Sequence, residues 1–446
     1  MDSLDFILFP LYSFAFYLLI RYRLKSFDNP INNIYYKRSF LFRLLSCLAF
    51  SIFLVYISPG DSFSTYYAEA LNIYKQALND PSIISRMLFT TAKNIDPTLL
   101  DKDSGGAVVF ADENNYAVVR VASIFMFFSF GKYLITNLFF SMLSFEGCWR
   151  LYKFFYEQYP SLHRQFSFAI LYFPTFIFWS SGIGKESICV AGIGFITYGL
   201  YAIFIKNESI IKNTILVIIF MLLLMNIKIY ILICYLPFLI YFLVVSALLK
   251  VKNKIIRYFL GPIVIIILLS GLISIIFSSD DKLGFYAANT LTENIHSQQE
   301  NFIMQEDYAE SNFNLGVDFD GSLVGFVKII PASVTATLFR PFIWEVKKIS
   351  TFLSAIESII LMILTLYVLF KVGLLNFIVT IIKNPIIVYS FFFAITFSAF
   401  IGATTLNFGS LVRYKIPGLP FFAVALVLIF HLAKKSDAKL QINATK

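Results

Sequence analysis

Residues 215–249 read ILVIIFMLLLMNIKIYILICYLPFLIYFLVVSALL, and Lys228 is the only charged residue in this run. A membrane-spanning helix needs about 20 predominantly apolar residues, so the run is long enough for two spans that meet at Lys228. Residues 258–277 are likewise apolar on every side, whereas the strands of transmembrane barrels alternate apolar and polar residues. Inside a bilayer, such segments satisfy their backbone polar groups only as helices. The sequence therefore predicts a helical membrane protein.

The composition of the whole chain agrees with this fold. Of its 446 residues, 58% are hydrophobic and only 14% are charged, whereas soluble domains carry about 25% charged residues. Aromatic residues reach 18%, and apolar stretches recur from end to end. A soluble protein with one membrane anchor is therefore excluded. We expect an all-α polytopic integral membrane protein in which residues 1–446 form a single transmembrane domain.

Apolar stretches of spanning length predict about eleven transmembrane helices. They cover residues 6–20, 39–58, 134–150, 166–180, 187–204, 213–227, 229–249, 257–277, 351–370, 385–402 and 416–433. The first stretch is short, and a surface helix is the alternative for it. Most of the 36 Lys and Arg residues fall in the connections on one side and in the C-terminal tail. Because cytoplasmic loops are enriched in Lys and Arg, we expect a cytoplasmic C-terminus and an external N-terminus in the plasma (inner) membrane.

Two long polar stretches lie on the predicted external side. The first external loop covers residues 59–133 and the second covers residues 278–349, and both are rich in Asn, Ser and Asp. Each contains an apolar piece, at residues 117–130 and 323–342. The flanking spans place both ends of each loop on the same side of the membrane, so neither piece crosses the membrane. We expect these pieces to form interfacial or re-entrant helices on the external side.

The sequence lacks the motifs of several kinds of binding site and active site. The four cysteines sit singly in apolar stretches and the three histidines are scattered, which predicts neither disulfides nor a metal site. The chain has no nucleotide-binding glycine loop and no GxSxG hydrolase motif. The net charge of +9 reports membrane orientation rather than nucleic-acid binding. No cofactor is predicted, although a divalent cation bound by carboxylates of the first external loop remains an open alternative.

Five basic residues depart from the cytoplasmic enrichment of Lys and Arg, because they lie at the external ends of predicted spans. They are Lys185, Lys228, Arg340, Arg413 and Lys415. Cations at one depth on the side opposite the cytoplasm are costly unless they meet an anion, and a phosphate at the external leaflet is the natural partner. Lys185 ends the stretch WSSGIGK just before a helix start, where backbone N–H groups also attract anions. The alternative is that each side chain reaches lipid headgroups or pairs with a loop carboxylate.

The acidic counterpart is the turn PGDSFSTYY at residues 59–67, directly after the second predicted span. Pro and Gly end the helix there, so Asp61 is held close to the external membrane surface. A carboxylate at this place can act as a general base or orient a hydroxyl. It can also cap the helix that follows, since Asp is a favoured N-cap residue.

Together these features resemble the GT-C class of membrane glycosyltransferases. The shared pattern is a carboxylate at the start of the first large external loop, interfacial helices after it, many spans and late external arginines. The stretches FPTFIFWSSGIGK (173–185) and NFGSLVRYK (407–415) are also similar to segments of bacterial cell-envelope polysaccharide proteins, including Wzy-type polymerases. By this resemblance Asp61 matches the catalytic carboxylate of the family's first loop, as a single Asp where the family commonly has an acidic pair.

The resemblance implies transfer of a sugar from a polyprenyl-phosphate carrier to a glycan or lipid acceptor at the external (periplasmic) face, in cell-envelope glycan assembly. Asp61 would then be the base, and the five external cations would hold the carrier phosphate among membrane lipids. Two alternatives stay open: a Wzy-type polymerase that relies on external arginines, and a flippase or transporter of lipid-linked glycan. The candidate ligands for sugar hydroxyls in the first external loop are Tyr66, Glu69, Asp112 and Glu113.

Overall fold

The computed structural model of the chain describes residues 1–25, 29–58, 60–95, 112–249, 290–304 and 311–444. In these ranges the chain folds into helices joined by turns and loops, without a β-strand. The predicted all-α class is therefore confirmed for the described part. The chain divides into two compact units. Unit 1 comprises residues 1–199 and 211–228, and unit 2 comprises residues 200–210 and 229–446.

The helices are labelled in chain order. Those up to the end of unit 1 are α1 (Ser3–Leu24), α2 (Pro30–Ile52), α3 (Ala68–Asn79), α4 (Ser82–Phe89), α5 (Glu113–Ser129), α6 (Tyr133–Gln158), α7 (His163–Phe166), α8 (Pro174–Trp179), α9 (Lys185–Tyr201) and α10 (Ile210–Leu248), which continues into unit 2. The others are α11 (Leu291–Met304), α12 (Leu323–Phe339), α13 (Ile349–Val372), α14 (Leu374–Lys383), α15 (Pro385–Thr404), α16 (Phe408–Tyr414) and α17 (Leu419–Ala444).

Among the described helices, 6 are long and apolar enough to cross a membrane. They are α1, α2 with its continuation to Ile57, α9 with its continuation to Lys206, α10, the part of α13 from Thr351, and α15. Two bent pairs, α5 with α6 and α16 with α17, raise the number to 8 if each pair forms one span. The chain is therefore a multi-pass membrane protein, as the sequence predicts.

The described helices do not establish the predicted number of about eleven spans. The predicted span at residues 257–277 lies outside the described residues. Residues 166–180 are divided between short helical pieces instead of forming one helix. The predicted spans at 213–227 and 229–249 fall on α10, which is kinked at Lys228, where the backbone is not helical (φ −152°, ψ 75°). The break thus lies at the residue that the sequence indicates.

Helix α1 runs parallel to α6 within unit 1. At one end the Asp5 carboxylate accepts a hydrogen bond of 3.1 Å from the backbone N–H of Leu134, at the start of α6. Towards the other end Arg23 forms an ion pair with Glu146. Helix α1 has 22 residues, which at 1.5 Å per residue gives a length of about 33 Å, enough for the roughly 30 Å of a bilayer core. These contacts favour a spanning α1 over a surface helix.

Helix α6 is the centre of unit 1, and α2 packs against it in the antiparallel direction. Near the start of α2 the Tyr36 hydroxyl donates to Glu146. Near the end of α2 the Ser51 hydroxyl accepts a hydrogen bond from Asn137, about two and a half helical turns closer to the start of α6 than Glu146. The start of α6 therefore lies beside the start of α1 and the end of α2.

Small residues allow two pairs of helices to approach closely. In unit 1, α6 crosses α9 where a side chain on Gly194 would collide with the backbone of Gly147. In unit 2, α12 packs on α15 where a side chain on Gly402 would collide with the Ser333 carbonyl. Small residues at crossings are typical of helix association in membranes, where close backbone packing replaces the hydrophobic driving force. These crossings fix the helices that hold the polar residues described below.

The apolar pieces of the two predicted external loops both form helices. Helix α5 meets α6 at a bend of 115°, so the two helices do not form one straight span. Gly131 at this bend has φ of 69°, a conformation that favours glycine. Helix α12 has 17 residues, which is shorter than an ordinary span. The interfacial or re-entrant form of both helices stays a prediction.

We predict that Asp318 and Lys435 of unit 2 are labelled from opposite sides of the membrane. Asp318 and Lys435 are both exposed, and the charge distribution assigns Asp318 to the external side and Lys435 to the cytoplasm. Asp318→Cys should react with an impermeant maleimide on intact cells, and Lys435→Cys should react only after permeabilisation. The unsubstituted chain is the control for background labelling. The reverse pattern would overturn the predicted orientation.

Candidate functional site

A buried turn at residues 180–184 separates α8 from α9 in unit 1. The last carbonyl groups of a helix lack partners within it, and a membrane interior offers no bulk water to bind them. Arg43 of α2, only 1% exposed, supplies the donors. Its Nη1 lies within hydrogen-bonding distance of the carbonyls of Ile177 (3.2 Å) and Ser180 (3.1 Å) and of the hydroxyls of Ser180 (2.8 Å) and Ser181 (3.2 Å), and its two N–H groups are shared among these acceptors. One buried guanidinium therefore fixes the end of α8 and the start of the turn.

Asn137 of α6 holds the other side of the same turn. Its side-chain oxygen accepts a hydrogen bond of 2.8 Å from the backbone N–H of Ile183, and its NH₂ group donates to the Ser51 hydroxyl at 2.8 Å. Gly182 lies against this amide, because a Cβ there would be 2.8 Å from the Asn137 oxygen and would collide with the Phe50 ring. The turn therefore requires glycine at position 182 for reasons of space.

The segment that carries Asp61 is attached to α6 one helical turn before Asn137. The hydroxyls of Ser62 and Tyr133 share a hydrogen bond of 3.1 Å, and both side chains are buried. Asp61 itself is exposed, and its side chain makes no capping hydrogen bond to the helical turn that follows it. We use the name α6 junction for Ser51, Ser62, Tyr133, Asn137 and Ile183. This junction ties the Asp61 segment and the turn at 180–184 to one face of α6.

Two of the predicted phosphate ligands, Lys185 and Lys228, come together beside this turn. The Nζ of Lys228 lies 3.3 Å from a carboxylate oxygen of Glu186, and the two side chains are 7% and 4% exposed. The Nζ of Lys185 lies 3.9 Å from the carboxylate of Asp112, and these side chains are 19% and 43% exposed. Asp112, predicted as a sugar ligand, also caps α5. The site thus contains one buried ion pair and one longer, more accessible pair.

Three other predicted ligands of the first external loop have contacts within the protein. The Tyr66 hydroxyl donates to the Asn115 side chain at 3.0 Å. The Glu113 carboxylate accepts a hydrogen bond of 2.6 Å from Arg120 and forms an ion pair with it. Glu69 is completely buried in the first turn of α3. These contacts tie the first external loop together, and the binding of sugar hydroxyls by these residues stays a prediction.

In unit 2 the predicted phosphate ligands Arg340 and Lys415 belong to one network. The Nε of Arg340 lies 3.0 and 3.1 Å from the two carboxylate oxygens of Glu345, and its Nη2 also contacts that carboxylate. The buried Lys415 ammonium donates to the Arg340 carbonyl (2.9 Å) and to the Ser358 hydroxyl (2.9 Å). Arg413 precedes Lys415 at the end of α16. Arg340 and Lys415 therefore have protein partners in this structure.

Four residues that hold these sites together are not predicted from the sequence: Arg43, Asn137, Glu186 and Glu345. Glu186 follows Lys185 in the first turn of α9, a position that favours acidic residues because of the helix dipole. This position explains why an acidic residue is favourable there, but it does not identify Lys228 as the partner of Glu186. The other three residues have no local motif, since their contacts depend on tertiary packing.

Comparison with protein-family models, curated proteins and solved structures found no match to this chain. Its function therefore has to be inferred from its own residues. In the described ranges, no group of three or more His, Cys, Asp or Glu side chains is placed to hold a metal ion. The segments joined by the α6 junction carry the exposed residue Asp61, the Lys185 ammonium group and the start of α9.

We predict that Asn137→Ala destabilises unit 1. The substitution leaves the Ile183 N–H and the Ser51 hydroxyl without their Asn137 partner, and a buried polar group left unpaired costs about 1–3 kcal/mol. Asn226→Ala is the matched control, because this exposed amide donates only to a carbonyl of its own helix. Thermal unfolding of the purified variants in detergent compares the two. Equal unfolding midpoints would contradict the role of Asn137 in the junction.

Proposed function

We propose that the chain is a membrane glycosyltransferase that moves a sugar from a polyprenyl-phosphate carrier to a glycan or lipid acceptor at the external face of the plasma membrane. The observation that carries this proposal is the α6 junction. It joins the segment that carries Asp61 to the turn that leads into Lys185, within one compact unit. Transfer from a lipid phosphate needs a base for the acceptor hydroxyl and a cation for the phosphate, and the junction holds the two segments that carry such groups.

Asp61 is the proposed general base. The residue is exposed, so an acceptor hydroxyl can approach it from the aqueous side. Its backbone is restrained, because the adjacent Ser62 side chain is buried and hydrogen-bonded to Tyr133. An accessible carboxylate on a fixed backbone segment can accept a proton from a bound hydroxyl as the hydroxyl attacks the sugar.

Lys185 is the proposed main ligand of the carrier phosphate. Its ion pair with Asp112 is long, at 3.9 Å, and the Asp112 side chain is 43% exposed. A separation of 3.9 Å is close to the limit of about 4 Å for an ion pair, so a phosphate can compete for the ammonium group. Lys185 also begins α9, and a helix start attracts anions through its backbone N–H groups and dipole.

The other predicted phosphate ligands differ from Lys185 in the partners that they already have. Lys228 is already paired with Glu186 in a buried position, which makes it a secondary ligand. The ion pair of Arg340 with Glu345 weakens the alternative of a polymerase that depends on external arginines. Arg413 is kept as a carrier ligand on the strength of the sequence resemblance. The external location of the site follows from the positive-inside distribution of Lys and Arg.

We predict that Asp61→Asn abolishes most glycan transfer while the protein stays folded and inserted. The amide preserves the shape of the side chain but cannot accept a proton, and loss of a general base costs about 10² to 10⁴ in rate. Asp80→Asn, at an exposed aspartate of the same loop, is the control and should retain activity. The measurement is transfer of labelled sugar from a polyprenyl-phosphate donor in proteoliposomes. Full activity of Asp61→Asn would rule out the assignment of the base.

We further predict that Lys185→Ala weakens binding of a polyprenyl-phosphate sugar. A charge-assisted contact with an ionised group contributes about 1.5–3 kcal/mol, so affinity should fall about 10- to 100-fold. Lys75→Ala removes an exposed charge from α3 in the same unit and should change affinity little. Binding to purified protein in nanodiscs tests both variants. If Lys185→Ala binds as tightly as the wild type, Lys185 is not a phosphate ligand.

A further inference from the structure

A second group of charged side chains lies at the part of α6 farther from the α6 junction, where the end of α1 meets it. We call it the Arg150 cluster and define it as Arg23, Glu146, Arg150, Lys153 and Glu157. Two of its cations have carboxylate partners in the cluster, since Arg23 pairs with Glu146 and Lys153 lies 3.5 Å from Glu157. The remaining cation is Arg150. The cluster therefore has a surplus positive charge located on Arg150.

Arg150 makes no hydrogen bond and no ion pair with any residue in the described part of the chain. Its Nε is buried without a partner. The guanidinium carbon lies 4.3 Å from the ring centre of Phe195 and 6.0 Å from that of Tyr198. A guanidinium has five N–H donors in one plane. Stacking on aromatic rings stabilises its charge but satisfies none of these donors.

The carboxylates near Arg150 are engaged elsewhere. Glu146 accepts a hydrogen bond from the Tyr36 hydroxyl in addition to its ion pair with Arg23. Glu157 accepts a hydrogen bond of 3.2 Å from the Tyr198 hydroxyl. The cluster thus has stable internal pairs and one cation whose hydrogen-bonding capacity is unused. An anion that does not belong to the protein and has several acceptor oxygens would complete the hydrogen bonding of the Arg150 cluster.

We propose that Arg150 binds the phosphate group of an anionic phospholipid headgroup. Arginine is the side chain best suited to this ligand, because its planar fork can donate two parallel hydrogen bonds to phosphate oxygens. Basic sites between membrane helices near the Lys- and Arg-rich surface are typical binding sites for anionic headgroups. Arg150 lies in the C-terminal half of α6, beside the basic end of α1. The proposal concerns a separate site from Lys185 and does not depend on the proposed transferase activity.

The test is titration of the purified chain in neutral detergent with phosphatidylglycerol, with phosphatidylcholine as the lipid that lacks net charge. Binding is followed by the shift of the thermal unfolding midpoint. We expect Arg150→Gln to weaken phosphatidylglycerol binding about 10- to 100-fold, as for loss of a charge-assisted contact. Arg150→Lys should weaken it less, because lysine restores the charge without the planar fork.

The matched control is Arg21→Gln, which removes an exposed cation from the last turn of α1 and should leave phosphatidylglycerol binding unchanged. A third titration with inorganic phosphate distinguishes the sources of the ligand. If inorganic phosphate competes with the lipid at similar affinity and depends on Arg150, the phosphate site is supported and its ligand is a soluble anion. Equal lipid binding by the wild type and Arg150→Gln overturns the proposal. If Arg150→Gln does not fold, wild-type affinity in Arg150→Lys has the same consequence.

Discussion

The constraint on which unit 1 depends is the interruption between α8 and α9. A helix that stops inside a membrane protein leaves backbone N–H and C=O groups that must be bound by protein, since lipid cannot bind them. Arg43 binds the carbonyl groups of Ile177 and Ser180 at the end of α8 and the start of the turn, and Asn137 binds the N–H of Ile183 within the turn. Both residues are buried and come from other helices. The interruption can therefore exist only where α2 and α6 meet it.

The fixed interruption between α8 and α9 places charged groups at defined positions. Because the turn is fixed, α9 starts at a defined place, with Lys185 in its first turn and the buried pair of Glu186 and Lys228 beside it. Through Ser62 and Tyr133 the same helix face also fixes the backbone next to Asp61. The groups proposed for catalysis therefore lie on segments that are fixed by buried hydrogen bonds, which is the preorganisation that electrostatic catalysis needs.

The sequence predicts the helical membrane class and the break at Lys228, because both follow from apolar runs and from a single charge within one of them. It also predicts that Lys185 follows a glycine-containing turn. It does not predict Arg43 or Asn137, since their partners lie 134 and 46 residues away in the chain and no local pattern relates them. Tryptophan near a span end is common in the interfacial belt, yet Trp179 is buried among Phe50, Phe53 and Phe178. Such contacts depend on tertiary packing alone.

The most direct test of the account is an electron cryo-microscopy structure of the wild-type chain in nanodiscs with a bound polyprenyl-phosphate sugar. The account predicts that the carrier phosphate lies within about 4 Å of the Lys185 ammonium group, the distance of an ion pair. It also predicts that the sugar extends from that phosphate toward Asp61. Density for the carrier with its phosphate away from Lys185 and its sugar out of reach of Asp61 would contradict the proposed site.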